Sequence, residues 1–360
     1  MANTSTPLKV VQWTSGGVAR EAIRAIQLDP KLELVGLYAF SEEKKGIDAG
    51  ELAGLPPMGV SATTDINALI ALQPDCVSYS PLYPNIDHLV ALLEAGINVV
   101  TTCNFITGWG LNYRAGNPQN GPRERIHQAA LKGGASIFGT GINPGHINYT
   151  AAVLAAHCVG VRHVKVTESV DVFNFVGDKN MTEIGFGLPA NSPDHAQNIK
   201  QETAVFGDAI ELMAKLLKMP IDAIDCEVEF AYATAAIDAP GRPIAPGCVA
   251  GVSINWKGMI HGNTVLENEQ IWVAGENTDA PWRIQHGYIL NVQGDPNLHN
   301  VMLPIPVGDI TQMTPKAFNA VGMRITALPS INAIPAVCAA AAGIQTYCDL
   351  PPIGGSFAPA

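Results

Sequence analysis

Charge is scarce in this chain of 360 residues: Asp, Glu, Lys and Arg make up 15% of it, and the balance is acidic, with a formal net charge of −11. An acidic chain with few cations lacks the electrostatic footprint that holds nucleic acid or an anionic bilayer, so neither is expected as a partner. A local helix terminus binds phosphate whatever the total charge, so a phosphorylated small molecule stays open. The 7 cysteines are odd in number, scattered and without C-x-x-C spacing. That excludes a disulfide framework and reads as reduced thiols of a cytoplasmic protein. The 9 histidines form no H-x-x-x-H or H-E-x-x-H pair, and no metal is expected. The opening MANTSTPLK lacks an apolar signal core, and no run approaches a membrane span. What is plentiful is apolar: 47% of the residues, enough at this length for large cores in two domains of ordinary size.

The chain is organised around LKVVQWTSGGVAREAIRAI, residues 8–26. An apolar run ends in a small polar turn, and a helix-type pattern follows. The free N–H groups at such a helix start, with the helix dipole behind them, form an anion site. In an α/β chain its usual occupant is a dinucleotide pyrophosphate. Against the fingerprint G-x-G-x-x-G, Gly16 keeps the middle glycine and Ala19 the last position, while Trp13 replaces the first glycine. Trp13, Thr14, Ser15, Gly16, Gly17 and Val18 are the candidate cofactor-binding residues of this turn.

Strand-then-helix alternation continues to about residue 145. Strands are expected at 8–12, 32–40, 60–63, 76–80, 98–102 and 136–139. Helices are expected from 18, at 66–72 behind an Asp65 cap, at 85–95 before Gly96, and at 122–132 from Pro122. This rhythm predicts a parallel, doubly wound α/β sheet, with ligands beyond the carboxyl ends of its strands. Ser80, Pro81, Thr102 and Cys103 stand at two of those ends and join the cofactor-binding set. After Gly145 a helix at 146–159 leads into long β segments at 163–175, 225–234, 249–260, 265–274 and 282–292. Turns are expected at Lys257-Gly258 and His261-Gly262-Asn263, and an amphipathic helix at 203–218 presents Phe206, Ile210, Met213 and Leu217 on one face. These segments predict a second, α+β domain on a mixed or antiparallel sheet. The expected division is 1–145, 146–322, and an apolar tail 323–360 whose helix packs back on the first domain.

An acidic residue at the end of strand two accepts from the ribose hydroxyls of NAD. Here Ser41 follows that strand and Lys44 lies just beyond, a pair suited to the 2′-phosphate of NADP; Glu42 and Glu43 lie beside them. NADP(H) is therefore favoured and NAD(H) remains open.

Five motifs then define a resemblance: VVQW near the start, DAGELAG at 48–54, NVVTT at 98–102, GTGINPG at 139–145 and INAIPAVCAAAAGIQTYCDLP at 331–351. Together they resemble the dihydrodipicolinate-reductase-like family, in the branch of 2,4-diaminopentanoate dehydrogenase and the native NAD(P)-dependent amine dehydrogenases. The resemblance implies a Rossmann domain, an α+β substrate domain and a homodimer. It implies Asn332 of the tail motif at the cofactor. It also implies hydride transfer between NAD(P)H and an imine formed from a ketone and ammonia, or the reverse deamination, with a small ketone, imine or amine as the partner.

In the amine dehydrogenases a glutamate after the fifth strand activates ammonia. Asn104 stands there in this chain, and an amide hydrogen-bonds but takes no proton at neutral pH. Asn104 is the candidate catalytic residue, positioning a carbonyl or a preformed imine. Phe173 and His195 are expected to line the substrate pocket with it. Glu168, Asp171, His195, His146 and Tyr149 are the candidate proton sources, and Phe175 and Tyr83 are further candidate apolar walls. Two other readings stand beside this one. One is a ketone or imine reductase that uses no free ammonia; the other is a non-catalytic NADP-binding sensor.

Overall fold

The computed structural model describes residues 6–117, 121–190, 192–308 and 314–355. The segment read for a leader begins in the undescribed residues, and the tail ends in them. The chain folds as two units, Met1–His146 with Ile305–Ala360, and Ile147–Pro304.

The first unit is built on a fully parallel sheet. Its strands are β1 Leu8–Trp13, β2 Leu32–Tyr38, β3 Ala62–Thr63, β4 Cys76–Tyr79, β5 Asn98–Thr101, β6 Ser136–Gly139 and, from the far end of the chain, β13 Gly343–Gln345. Their order is β3-β2-β1-β4-β5-β6-β13. The direction of winding reverses between β1 and β4, the crevice where doubly wound sheets bind ligands. Helices α1 Gly17–Leu28, α2 Ala49–Ala53, α3 Ile66–Ala71, α4 Ile86–Glu94, α5 Trp109–Arg114 and α6 Pro122–Gly133 connect the strands. Local chemistry sets their ends. The Asp65 and Asn85 carboxylate and amide oxygens accept from the first-turn N–H groups of α3 and α4. Pro122 opens α6, and Gly134 closes it in the left-handed conformation.

Helix α11, Pro315–Cys338, returns to this unit and packs on α1 and along β4, β5 and β6. It starts two turns before the expected Met323, because Thr314 caps it and Pro315 takes the first position. Its residues Asn319–Cys338 have the length and apolarity of a membrane crossing, against the expectation that no run approaches one. Within this unit Arg324 of the same stretch is paired with Glu21 of α1 at 2.8 Å.

The second unit carries a mixed sheet in the order β12-β11-β7-β10-β9-β8. The strands are β7 Val159–Asp171, β8 Ala223–Tyr232, β9 Val249–Ile260, β10 Asn263–Val273, β11 Gly287–Asp295 and β12 Leu298–Met302, with β7 and β10 parallel. Helices α7 His146–Leu154, α8 Lys179–Ile184, α9 His195–Glu202 and α10 Val205–Leu217 accompany it. Three expectations are corrected here. The helix from residue 146 stops at Leu154, and β7 begins at Val159. Gly258 is no turn residue: it lies within β9, where a Cβ would come 2.8 Å from Ile210 of α10. The β9–β10 turn is His261-Gly262 alone.

On one face of this sheet the Glu267 carboxylate accepts from His163 at 2.8 Å and Asn255 at 2.5 Å, with Lys165 at 3.6 Å. Burial pushes this carboxyl up, but the two hydrogen bonds and the Lys165 charge outweigh it and hold it at about 2. A carboxyl depressed in the fold stabilises it above its unfolded pKa, and that contribution fades as pH falls toward the folded value. Urea unfolding midpoints of the wild type are therefore expected to fall between pH 5 and pH 2.5 by more than those of Glu267→Gln. Equal falls would remove Glu267 as a source of acid lability.

Candidate active site

The turn after β1 is fixed from below by Trp13. Its indole is 0% exposed, stacks on Tyr38 at 4.2 Å and lies 5.7 Å from Tyr79. Trp13 is therefore a pillar of the core, and its backbone rather than its indole borders the turn. The Trp13 carbonyl accepts from Gln12 Nε2 at 3.0 Å and from the Ser80 N–H at 3.3 Å.

Above the pillar the turn is hydrogen-bonded across the switch point. Thr14, at φ 85°, donates from its hydroxyl to the Ser80 carbonyl at 3.3 Å. Ser15 accepts from the Lys44 ammonium at 3.0 Å. Gly16 is the N-cap of α1, no side chain caps this helix, and its first turn holds no acidic residue. The α1 start is thus an open, positive helix end with no anion of its own. A Cβ on Gly16 would meet nothing within 4 Å, whereas one on Gly17 would meet Met323 of α11 at 3.0 Å. The residues present fit a dinucleotide phosphate: bare N–H groups, room above Gly16 and one cation beside them.

Further along the same sheet edge, Thr102 donates its N–H to the Tyr79 carbonyl at 3.2 Å. Cys103 is 4% exposed, with its sulfur 2.9 Å from the Thr101 hydroxyl, so its thiol packs inward rather than toward a ligand. Pro81 is buried likewise. Asn104 is half-buried and anchored through its N–H to the Leu82 carbonyl at 3.4 Å. The first unit therefore brings Thr14, Ser15, Gly16, Gly17, Lys44 and Ser80 together. Ser41, Val18, Thr102 and Asn104 stand at the same strand ends.

Asn332 does not join them, which corrects its place in the cofactor set. Met323 of α11 touches the glycine turn, and nine residues of helix carry Asn332 about 13 Å further toward the amino ends of the strands. The direction of the helix is fixed at its far end, where Ser136, the first residue of β6, donates to the Val337 carbonyl at 2.6 Å.

Beyond β6 the structure assembles a cluster whose second member sequence reasoning missed. The Tyr347 hydroxyl lies 2.7 Å from the Thr140 hydroxyl and 3.1 Å from Nδ1 of His146. Tyr347 is 5% exposed and edge-on to Phe138. The motif GTGINPG marked the strand end that holds Thr140, with His146 next to it. Tyr347 lies inside the tail motif at 331–351, but nothing local tied it to this strand end, to which β13 delivers it from 201 residues away.

In the second unit Phe173 lies in a 3-10 turn, Phe173–Phe175, rather than on a strand. Asp171 ends β7 there, its carboxylate accepting from the N–H groups of Phe173 at 2.8 Å and Gly275 at 3.1 Å. Glu168 accepts from the Trp272 indole at 3.3 Å. His195 is 7% exposed, with Nε2 2.8 Å from the Ile184 carbonyl and its ring stacked on Phe230. Those contacts make His195 a packing residue between α8 and β8, which corrects its place in a substrate pocket.

Among known proteins, an amine dehydrogenase of Streptomyces virginiae is 28% identical over 227 residues, 60% of this chain and 61% of that one. The chain thus spans about three fifths of that relative's length. The 2,4-diaminopentanoate dehydrogenase of Acetoanaerobium sticklandii is 23% identical over 74% of this chain and 69% of its own. Among solved structures, an amine dehydrogenase from Mycobacterium smegmatis superimposes with a TM-score of 0.76, at 22% identity, over 97% of each chain, which shows the shared fold. The family model for the 2,4-diaminopentanoate dehydrogenase C-terminal domain matches residues 147–357, more than half of the sequence, and the chain belongs to that family.

Proposed function

We propose that this chain is an NAD(P)H-dependent oxidoreductase that transfers a hydride to or from the carbon of a C=N or C=O bond, working as a cytoplasmic homodimer on a small ketone, imine or amine. The observation that carries the reading is the uncapped start of α1 at the switch point, with Lys44 tied to its turn through Ser15. The names of its relatives, amine dehydrogenase and 2,4-diaminopentanoate dehydrogenase, support the C=N class.

NADP is favoured over NAD by how the charges after β2 are engaged. The Glu42 carboxylate accepts from the Thr64 hydroxyl at 2.7 Å and Lys45 at 3.3 Å, and these bonds lower its pKa. A carboxylate so engaged is a poor acceptor for ribose hydroxyls, whereas Lys44 already reaches the turn. When bound, the nicotinamide gives or takes the hydride; the α1 N–H groups and Ser15 would hold the pyrophosphate, Lys44 the 2′-phosphate, and Asn104 would orient the carbonyl or imine. Lys44→Ala is expected to weaken NADPH binding about tenfold, about 1.4 kcal/mol, and to leave NADH nearly unchanged. Fluorescence titration checks it, and an equal loss for both cofactors would count against a 2′-phosphate contact.

The reading is tested by oxidation of NADPH over a panel of small ketones, with and without ammonium. Amine formed only with ammonium supports the amine dehydrogenase form. Alcohol formed at the same rate without it supports the ketone reductase, which the amide at Asn104 favours. NADPH binding without turnover of any member leaves the sensor.

A further inference from the structure

We propose that His146, backed by Tyr347 and Thr140, is the proton-handling group of this site. The proposal rests on the dehydrogenase reading above and supplies what Asn104 cannot. Position argues first. The chain after β6 lies against the chain after β5: the Thr140 N–H donates to the Thr101 carbonyl at 2.8 Å, three residues before Asn104. The loop then folds back on itself. Gly145 has φ 127°, and a Cβ there would come 2.8 Å from the Thr140 hydroxyl. The His146 N–H closes the loop onto the Gly141 carbonyl at 2.9 Å. His146 therefore enters at the carboxyl edge of the sheet, beside the strand end that carries Asn104.

Hydrogen bonding argues second. The Thr140 hydroxyl is placed to donate to the Gly141 carbonyl at 3.2 Å and lies 2.7 Å from the Tyr347 hydroxyl, which in turn lies 3.1 Å from Nδ1 of His146. In the proposed tautomer Tyr347 donates to Thr140 and accepts from Nδ1–H of His146, and the basic lone pair of the imidazole lies on Nε2. A third residue orienting a base through its far nitrogen is the arrangement general-base sites use. Burial lowers the His146 pKa, so the ring is neutral, the form of a base, around neutral pH. Burial is the cause of that shift, and the Tyr347 hydroxyl lies within hydrogen-bond distance of the ring.

The step balances in the oxidative direction. The substrate C–H bond breaks and its hydride, with both electrons, passes to oxidised nicotinamide. The N–H or O–H bond breaks and its proton passes to Nε2, leaving C=N or C=O and an imidazolium. Reduction runs the same transfers in reverse.

Two measurements test this. Nitrogen-15 NMR of the protein without cofactor, with His146 assigned by its loss in His146→Gln, is expected to show Nε2 as the unprotonated nitrogen. In Tyr347→Phe, which keeps the ring against Phe138, that preference is expected to vanish and the pKa to fall, because the imidazolium loses an acceptor. Kinetically, oxidative kcat/KM of the wild type is expected to fall at low pH as His146 protonates. His146→Gln should abolish that acid limb and lower kcat about 100-fold. Tyr347→Phe should shift the limb to lower pH and reduce kcat more than it changes KM. A wild type that turns over none of the ketones, alcohols or amines in the panel overturns the dehydrogenase reading and this proposal with it. Wild-type turnover with an unchanged limb in His146→Gln, or a ring protonated on Nε2 alone, overturns the proposal and leaves the reading standing.

Discussion

Gly139→Ala is expected to destabilise the protein by about 3 kcal/mol or more, roughly a 10 °C fall in Tm for a unit of this size. The cause is a contact between two pieces of backbone. Gly139 is the last residue of β6, and a Cβ there would lie 1.9 Å from the Phe105 carbonyl oxygen and 2.7 Å from its carbon. Neither is the end of a flexible side chain, so the whole segment after β5 must move, with Phe105 at 0% exposure beneath it. That segment carries Asn104, so cofactor-dependent activity is expected to fall further than the loss of folded protein explains. Gly322→Ala is the control. Gly322 lies inside α11 with nothing within 4 Å of its would-be Cβ, and alanine there is expected to add about 0.5–1 kcal/mol. Thermal unfolding of the two variants beside the wild type decides the matter. A Gly139→Ala protein within 2 °C of wild type would show that the β5 and β6 ends are not in rigid contact.

The same contact shows why some of this molecule could be read from its sequence and some could not. Asp65, Asn85, Pro122 and Gly134 act on groups within a few residues of themselves, so their helices were legible. The parallel, doubly wound sheet followed from alternation of apolar runs with helices of ordinary length, whereas β13 joined it unforeseen from the tail. The turn after β1 was legible where it is made of backbone: Gly16 stands at the start of α1, as its place in the motif implied. The site was misread where a side chain had two destinations. Trp13 occupies a motif position, yet β1 turns its indole into the core between Tyr38 and Tyr79. Phe173 and Phe175 have the composition of a strand, but the Asp171 carboxylate captures the Phe173 N–H and ends it. Asn332 belongs to a recognisable motif, but only the direction of α11 says which edge of the sheet it reaches. Tyr347 stood inside the tail motif without a role, because its partners Thr140 and His146 lie about 200 residues back and β13 brings it to them.

The largest gain of function is expected from Asn104→Glu. Forming an imine from a ketone needs ammonia as the free base and then a proton for the departing hydroxyl, and an amide performs neither task. A glutamate performs both in turn, taking a proton as carboxylate and returning it as acid. One such positioned group is worth about 100-fold or more in rate. The site accepts the change physically: Asn104 is half-buried at the sheet edge, and the hydrogen bond that anchors it comes from its backbone, to Leu82. The extra methylene therefore extends the side chain without breaking the anchor. Ammonium-dependent amine formation from a ketone with NADPH is expected to rise about 100-fold over the parent. Ketone reduction without ammonium is expected to stay level or fall, because that reaction uses the amide to orient the carbonyl. The two rates, measured on the same preparation with NADPH binding checked, separate chemistry from folding. A folded, NADPH-binding variant with no rise in the ammonium-dependent rate would mean that residue 104 does not stand where ammonia is activated. The amide would then be a structural feature of the β5 turn, and His146 would carry the acid–base chemistry without it.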